Sequence, residues 1–198
     1  PGGAGKSTLL KILLGLIKPD SGDVELLGHS VFSIVEKKRL NLMRRVGVAF
    51  QQEALFDFMT VMDNILFAME HMTNKSKKDM HSRCQELLKE VKLPNARDLF
   101  PYELSGGMKR RVGVARALCT DPEIAFFDEP TSGLDPVTST IILNMIIDLS
   151  MKKQSSLIVF TSNVEIAIRF SERLLLLKEG EIIADGSWKE LLLSDDKW

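Results

Sequence analysis

The sequence predicts an α/β fold: a mostly parallel sheet interrupted by an inserted α-helical subdomain. Three observations predict it. The chain opens on a glycine-rich loop, PGGAGKST, that runs directly into the apolar helix-like segment TLLKILLGLI. Towards its end EIAFFD, SLIVF and RLLLLK are short apolar runs separated by one helix-like stretch each, the alternation that builds a parallel sheet with right-handed crossovers. In the middle, residues 61–93 carry apolar side chains at helical spacing throughout.

Taken in order, KPDSGDVELLG gives a turn at Pro19–Gly22 and a short strand from Val24 to Leu27. EKKRLNLMRR reads as a helix, and VGVAF as a strand that ends at Gln51 and Gln52. Met62, Ile65, Leu66, Met69 and Met72 then fall at i, i+3, i+4 spacing, and Cys84, Leu87, Leu88 and Val91 mark a second helix. Such a methionine stripe reads first as core and second as an adaptable docking surface. Asp121-Pro122 breaks the next helix, after which the three apolar runs read as buried strands. A turn at Glu179-Gly180 leads to an edge strand, and Trp188–Leu193 to a final helix.

At 198 residues and 44% apolar, the chain is long enough for one sizeable core, so a single domain over 1–198 is expected. A formal charge of −1 points away from nucleic acid or an anionic membrane as partner, and Lys75, Lys77, Lys78, Lys152 and Lys153 read as solvated helix faces. No apolar run approaches the ~18 residues that span a bilayer. Cys84 and Cys119 have no redox or metal spacing and read as small buried side chains, while His29, His71 and His81 receive no role. The chain starts at Pro1 rather than Met and one residue short of the full G-x-x-x-x-G-K-[ST] template, so it reads as a fragment. The strand that leads into such a loop, and those before it, are expected to be missing, leaving the fragment aggregation-prone on its own.

The opening loop has the chemistry of a phosphate cradle. Gly2, Gly3, Ala4 and Gly5 let the backbone turn its N–H groups inward, Lys6 supplies a charge for the β- and γ-phosphates, and Ser7 offers a hydroxyl to Mg²⁺, with Thr8 opening the helix. The positive end of that helix faces the same phosphates. Asp128 and Glu129 end an apolar strand at the carboxyl edge of the sheet; Asp128 suits Mg²⁺ through water, Glu129 the activation of an attacking water. A second helix start, Ser105-Gly106-Gly107, exposes bare N–H groups that a phosphate can accept from.

The phosphate loop, Phe50-Gln51, LSGGM, FFDEP and SGLD, in that order along the whole chain, resemble the ATP-binding-cassette (ABC) ATPases. The resemblance implies a P-loop NTPase fold with a RecA-like core over 1–52 and 122–198 and a helical signature subdomain over 53–121. It implies ATP and Mg²⁺ as cofactors, with Gln51 touching Mg²⁺ and the catalytic water, Ser105, Gly106 and Gly107 holding the γ-phosphate across a dimer interface, and Asp135 in the D-loop. The implied partners are a second ATPase subunit, most simply an identical one, and a transmembrane permease. Met108 stands where glutamine is usual, and ELSGGMKRRVGVARAL is similar to cassettes of the Mla and Mce lipid transporters and their plastid relatives. That similarity implies a phospholipid or other lipid as cargo and a lipid-shuttle protein as a further partner. It implies a peripheral place on the cytoplasmic face of the inner membrane or in a plastid envelope, with a permease-receiving groove around Phe56–Met72.

One position departs from the family. After SLIVF the family usually carries a switch histidine, and here Thr161 is followed by Ser162 and Asn163. A serine is too short and never cationic, and losing one preorganised donor costs on the order of 10²- to 10³-fold in rate. Three readings therefore stand beside the lipid transporter: a degenerate ATP-binding scaffold with little hydrolysis, an importer ATPase for a polar solute, and a soluble cassette acting on ribosomes or DNA repair.

Overall fold

The structure, a computed structural model, describes residues 3–51 and 54–193. In chain order the elements are α1 (Lys6–Leu13), β1 (Glu25–Leu26), β2 (His29–Ser30), α2 (Glu36–Met43), β3 (Val46–Ala49), α3 (Val61–Met72) and α4 (Lys77–Glu90). A 3-10 turn (Pro101–Glu103) precedes α5 (Gly106–Leu118), β4 (Ile124–Asp128), α6 (Pro136–Lys152), β5 (Ser156–Phe160), α7 (Val164–Phe170), β6 (Leu174–Lys178), β7 (Glu181–Gly186) and α8 (Trp188–Leu193). Packing divides the chain into two units, Ser33–Val159 and the segments before and after it.

The larger unit is built on a sheet of order β3-β4-β5, in which β3 and β4 are parallel with Val46 opposite Ile124 and Ala49 opposite Phe127. Ala125, Phe126 and Phe127 of the central strand are fully buried, as are Val61, Ile65 and Met69 of α3, Cys84 and Leu87 of α4, and Ile146 of α6. Each large side chain removed from water in this way contributes about 1.5–3 kcal/mol. Gly47 lets β3 lie against the end of α5: a Cβ there would stand 2.2 Å from the Ala117 carbonyl oxygen. Burial also pushes the Cys84 thiol up to about 11 and the Cys119 thiol to about 12. Asp121, at positive φ after α5, gathers Arg83 at 3.1 Å, Lys153 at 3.1 Å and Lys75 at 3.8 Å, joining α4 to the C-terminal end of α6.

The helical stretch divides into two helices, each with a side-chain cap. Thr60 and Asp63 form a reciprocal capping box at the start of α3, and Ser76 caps α4 by accepting from the Asp79 N–H. Met62 and Met69 are buried while Met72 is 40% exposed, so most of the methionine stripe is core and does not form a docking surface. The exposed face beside it is aromatic. Phe56 packs on Phe58 at 5.8 Å and edge-on to Phe67 at 5.0 Å, and Phe67 lies 4.3 Å from the His71 ring. Fully buried Asn64 holds the loop before α3: its Oδ1 accepts from the Phe56 N–H, and its Nδ2 donates to the Phe56, Met59 and Thr60 carbonyls.

In the smaller unit, the expected strand over Val24–Leu27 is a two-residue strand paired antiparallel with the unforeseen β2, because Leu27 and Gly28 both take positive φ and turn the chain back. RLLLLK differs from expectation more. It is not a buried parallel strand: β6 pairs antiparallel with β7, and Leu175 is 56% exposed. The physical reason is the turn at Glu179 and Gly180, with φ of 51° and 86°, whose twist closes a hairpin and commits β6 to the strand that follows. SLIVF is likewise only half-buried.

Candidate nucleotide-binding site

The smaller unit carries the phosphate loop. Gly3 and Gly5 adopt φ of 80° and 100°, conformations that let the chain coil directly ahead of α1. A Cβ on Gly3 would meet nothing within 4 Å, so the loop leaves open space where a phosphate would need it. Ala4 is buried and its carbonyl accepts from the Gly180 N–H at 3.2 Å, which anchors the loop on the β6–β7 turn. Gly5 is the N-cap of α1 without a side-chain cap, and the first helical bond runs from the Leu9 N–H to the Gly5 carbonyl at 2.9 Å. Lys6, Ser7 and Thr8 form the first turn, with Ser7 and Thr8 exposed; Gly2 lies outside the described residues, as does Gln52. Ser162 is exposed in the bend between β5 and α7, where the Thr161 hydroxyl accepts from the Asn163 N–H at 3.1 Å.

The larger unit carries the remaining expected residues. Asp128 is the last residue of β4 and only 5% exposed, and Glu129 follows at φ 48°, partly exposed. Gln51 is exposed in the turn after β3. Ser105 caps α5 through its Oγ, which accepts from the Met108 N–H at 3.3 Å, while Ser105 and Gly106 are exposed and Gly107 is half-buried. Met108 packs against the hydrophobic core, which gives its apolar side chain a local structural reason. Asp135 caps α6 by accepting from the Val137 and Thr138 N–H groups, both at 3.0 Å. Bonding to the Thr138 side chain and then to its N–H holds the Asp135 carboxyl below the ordinary carboxylate range.

Sequence reasoning missed Arg110. Its guanidinium donates to the Gln51 carbonyl and, at 3.0 Å, to the Ser132 carbonyl. The cluster of cations in MKRR offered a signal, but spacing alone does not say which arginine turns inward. Gly47 and Asn64 were missed for the same reason, since their partners are distant in sequence or buried in a loop.

By chemistry, the oxygen-bearing residues that each unit contributes suit Mg²⁺ with a nucleoside triphosphate. Ser7, Gln51 and Asp128 offer hard oxygen atoms, and Mg²⁺ typically takes one or two protein oxygens and completes its shell with phosphates and water. Among the described residues no group of three or more His, Cys, Asp or Glu could hold a metal ion. A glycine loop that feeds a helix, and an Asp–Glu pair ending a parallel strand, are how P-loop proteins handle phosphates, and the chain is of that class.

Comparison with known proteins narrows the class. The family model for the ABC transporter matches residues 1–132. The chain is 34% identical over 192 residues to the methionine import ATP-binding protein MetN of Carboxydothermus hydrogenoformans, covering 97% of this chain and 57% of that protein. It is 35% identical over 196 residues to the "Probable ribonucleotide transport ATP-binding protein mkl" of Mycobacterium leprae, covering 99% and 56%. The chain thus spans little more than half the length of these curated relatives. Among solved structures it superposes on the ATP-binding cassette MJ0796, in a dimeric post-hydrolysis state bound to ADP and Pi, with a TM-score of 0.85 and 30% identity over 94% of this chain and 82% of that one. The structure of cbiO1 from Clostridium perfringens, part of the ABC transporter complex cbiONQ, gives 0.85 and 27% over 97% and 76%. The chain belongs to the ABC transporter family and has the fold of its ATP-binding cassettes.

Proposed function

We propose that this chain is the ATP-binding and ATP-hydrolysing subunit of a membrane transporter and works as a dimer. In this reading Gly3–Thr8 of one copy hold the phosphates and Ser105, Gly106 and Gly107 of the other receive the γ-phosphate. The observation that carries it is the second helix start: Ser105 and Gly106 are exposed, and the first turn of α5 contains no acidic side chain to compete with a phosphate. The dimeric state of the similar MJ0796 cassette supports a dimer. Lys6 neutralises the β- and γ-phosphates, Ser7, Gln51 and water-linked Asp128 hold Mg²⁺, Glu129 activates water, and Asp135 serves the dimer interface. The layout follows the family, with a core of 1–52 and 122–198 around a helical subdomain of 53–121.

The aromatic cluster of half-buried Phe56 with exposed Phe58 and Phe67 is the surface we assign to a permease contact. In this reading the chain is a peripheral subunit on the cytoplasmic face of the inner membrane; no helix among the described residues is long and apolar enough to cross a membrane. For cargo, the signature ELSGGMKRRVGVARAL supports lipid, delivered by a shuttle protein. The names of the MetN and mkl relatives support a polar solute instead, and the inward packing of Met108 weakens the part of the lipid argument that rests on that residue. Reconstituted with its permease in vesicles, a lipid transporter is expected to raise phosphate release when phospholipid is offered and not when methionine or a nucleotide is; the opposite response overturns the lipid cargo.

Ser162 favours a second reading, an ATP-binding scaffold with little turnover. Tight ATP binding with no Glu129-dependent phosphate release would establish it. Under the transporter reading, Ser162→His restores a transition-state donor and raises turnover, by up to the order of 10²-fold. Unchanged or lower turnover counts against a missing switch.

A further inference from the structure

β3 and β4 are adjacent and parallel with Ala49 opposite Phe127, so Gln51 and Glu129 each stand two residues beyond a matched pair. The loops they begin leave the same edge of the sheet. Arg110, in the second turn of α5, reaches both: Nη1 donates to the Gln51 carbonyl and Nη2 to the Ser132 carbonyl at 3.0 Å, between Glu129 and Asp135. With Phe50, Phe127, Asp128 and Pro130 it also lines a shallow depression at that edge.

We propose that Arg110 is a positioning residue that ties the Gln51 loop to the Glu129–Asp135 loop, so that the two keep one spacing during ATP hydrolysis. A guanidinium is a rigid planar fork with donors at fixed separation, suited to bridging two carbonyls that belong to different loops. Lysine keeps the charge but presents a single ammonium on a flexible stem and cannot hold both in the same way. Because these two acceptors are backbone carbonyls, the tie acts on the position of the loops themselves. The catalytic consequence rests on the ATPase reading above; the tie itself does not.

The test uses the full transporter complex with Arg110→Gln and Arg110→Lys, reading amide hydrogen exchange without nucleotide and steady-state ATP turnover. Exchange at residues 49–51 and 131–134 is expected to rise together in both variants, by about fivefold or more. Turnover is expected to fall by about tenfold or more while KM for ATP stays within about twofold, as for displaced reacting groups with retained binding. Arg110→Lys falling with Arg110→Gln supports the two-carbonyl fork; a lysine variant equal to wild type in both readouts overturns it. Unchanged exchange overturns the tie whatever turnover does, and faster exchange with unchanged turnover overturns the positioning role. If Arg110→Gln does not fold, the lysine variant decides alone. A wild-type complex without ATP turnover defeats the ATPase reading, and exchange then decides the tie by itself.

Discussion

The helix starts of this molecule fall into two kinds. At α2, α3 and α4 the first turn carries Glu36, Asp63 and Asp79, acids that stabilise a helix by facing the positive end of its dipole. At α1 and α5 the first turn carries none, and glycine stands at or next to the cap. The contrast extends to the cap itself: Gly5 offers no side chain, whereas Ser105 satisfies the Met108 N–H and leaves glycine at the next two positions. The starts of α3 and α4 thus combine a side-chain cap with a first-turn acid, whereas α1 has neither and α5 keeps its Ser105 cap without the acid, an arrangement that suits an external anion.

The strongest challenge to that contrast is Glu129→Gln. Removing the proposed base is expected to lower turnover by 10²- to 10⁴-fold while ATP still binds, so that an ATP-held dimer accumulates on size-exclusion chromatography. A dimer that does not accumulate argues against α5 as a receptor for the other copy's phosphate. Lys6→Ala breaks the α1 side, with turnover falling on the order of 10²- to 10³-fold and weakened ATP binding by calorimetry; wild-type affinity would remove α1 from the site.

Gly106→Glu sharpens the comparison by converting one kind of start into the other. A Cβ at Gly106 meets nothing within 4 Å, so the change is sterically open. Better helix propensity and a first-turn acid are expected to stabilise the unliganded chain by about 1 kcal/mol, raising its melting temperature while ATP-driven dimerisation is lost. A stabilised variant that still dimerises would show that α5 is an ordinary start.

The smallest effect concerns Asp135, an acid at the cap of α6. Its folded carboxyl titrates below its ordinary value, so its contribution to stability is present above that value and lost as pH falls through the folded one. Melting temperature against pH should therefore flatten in Asp135→Asn below about pH 4; an unaltered acid limb would deny the cap any share in stability.

Much of this was legible in the sequence because it is local. Capping boxes, the glycine loop, the Asp–Glu strand end and the turn at Glu179-Gly180 are written within a few residues of where they act. What could not be read has partners far along the chain. Gly47 is required by the Ala117 carbonyl, 70 positions later in sequence, and Arg110 by Gln51, 59 positions earlier. RLLLLK and IAFFD have the same apolar character, yet one is a half-exposed hairpin arm and the other the buried centre of a sheet.

By itself the sequence determined the order of most elements, the glycine starts of α1 and α5, and the placement of carboxylates after an apolar strand. Those depend on backbone propensity, capping and the dipole of a single helix. Only the tertiary structure decided which apolar strands are buried, that Met62, Met69 and Met108 serve the core, and that one arginine of MKRR spans two loops. Burial and long-range hydrogen bonds depend on which surfaces meet in space, and a residue's type does not name its neighbours.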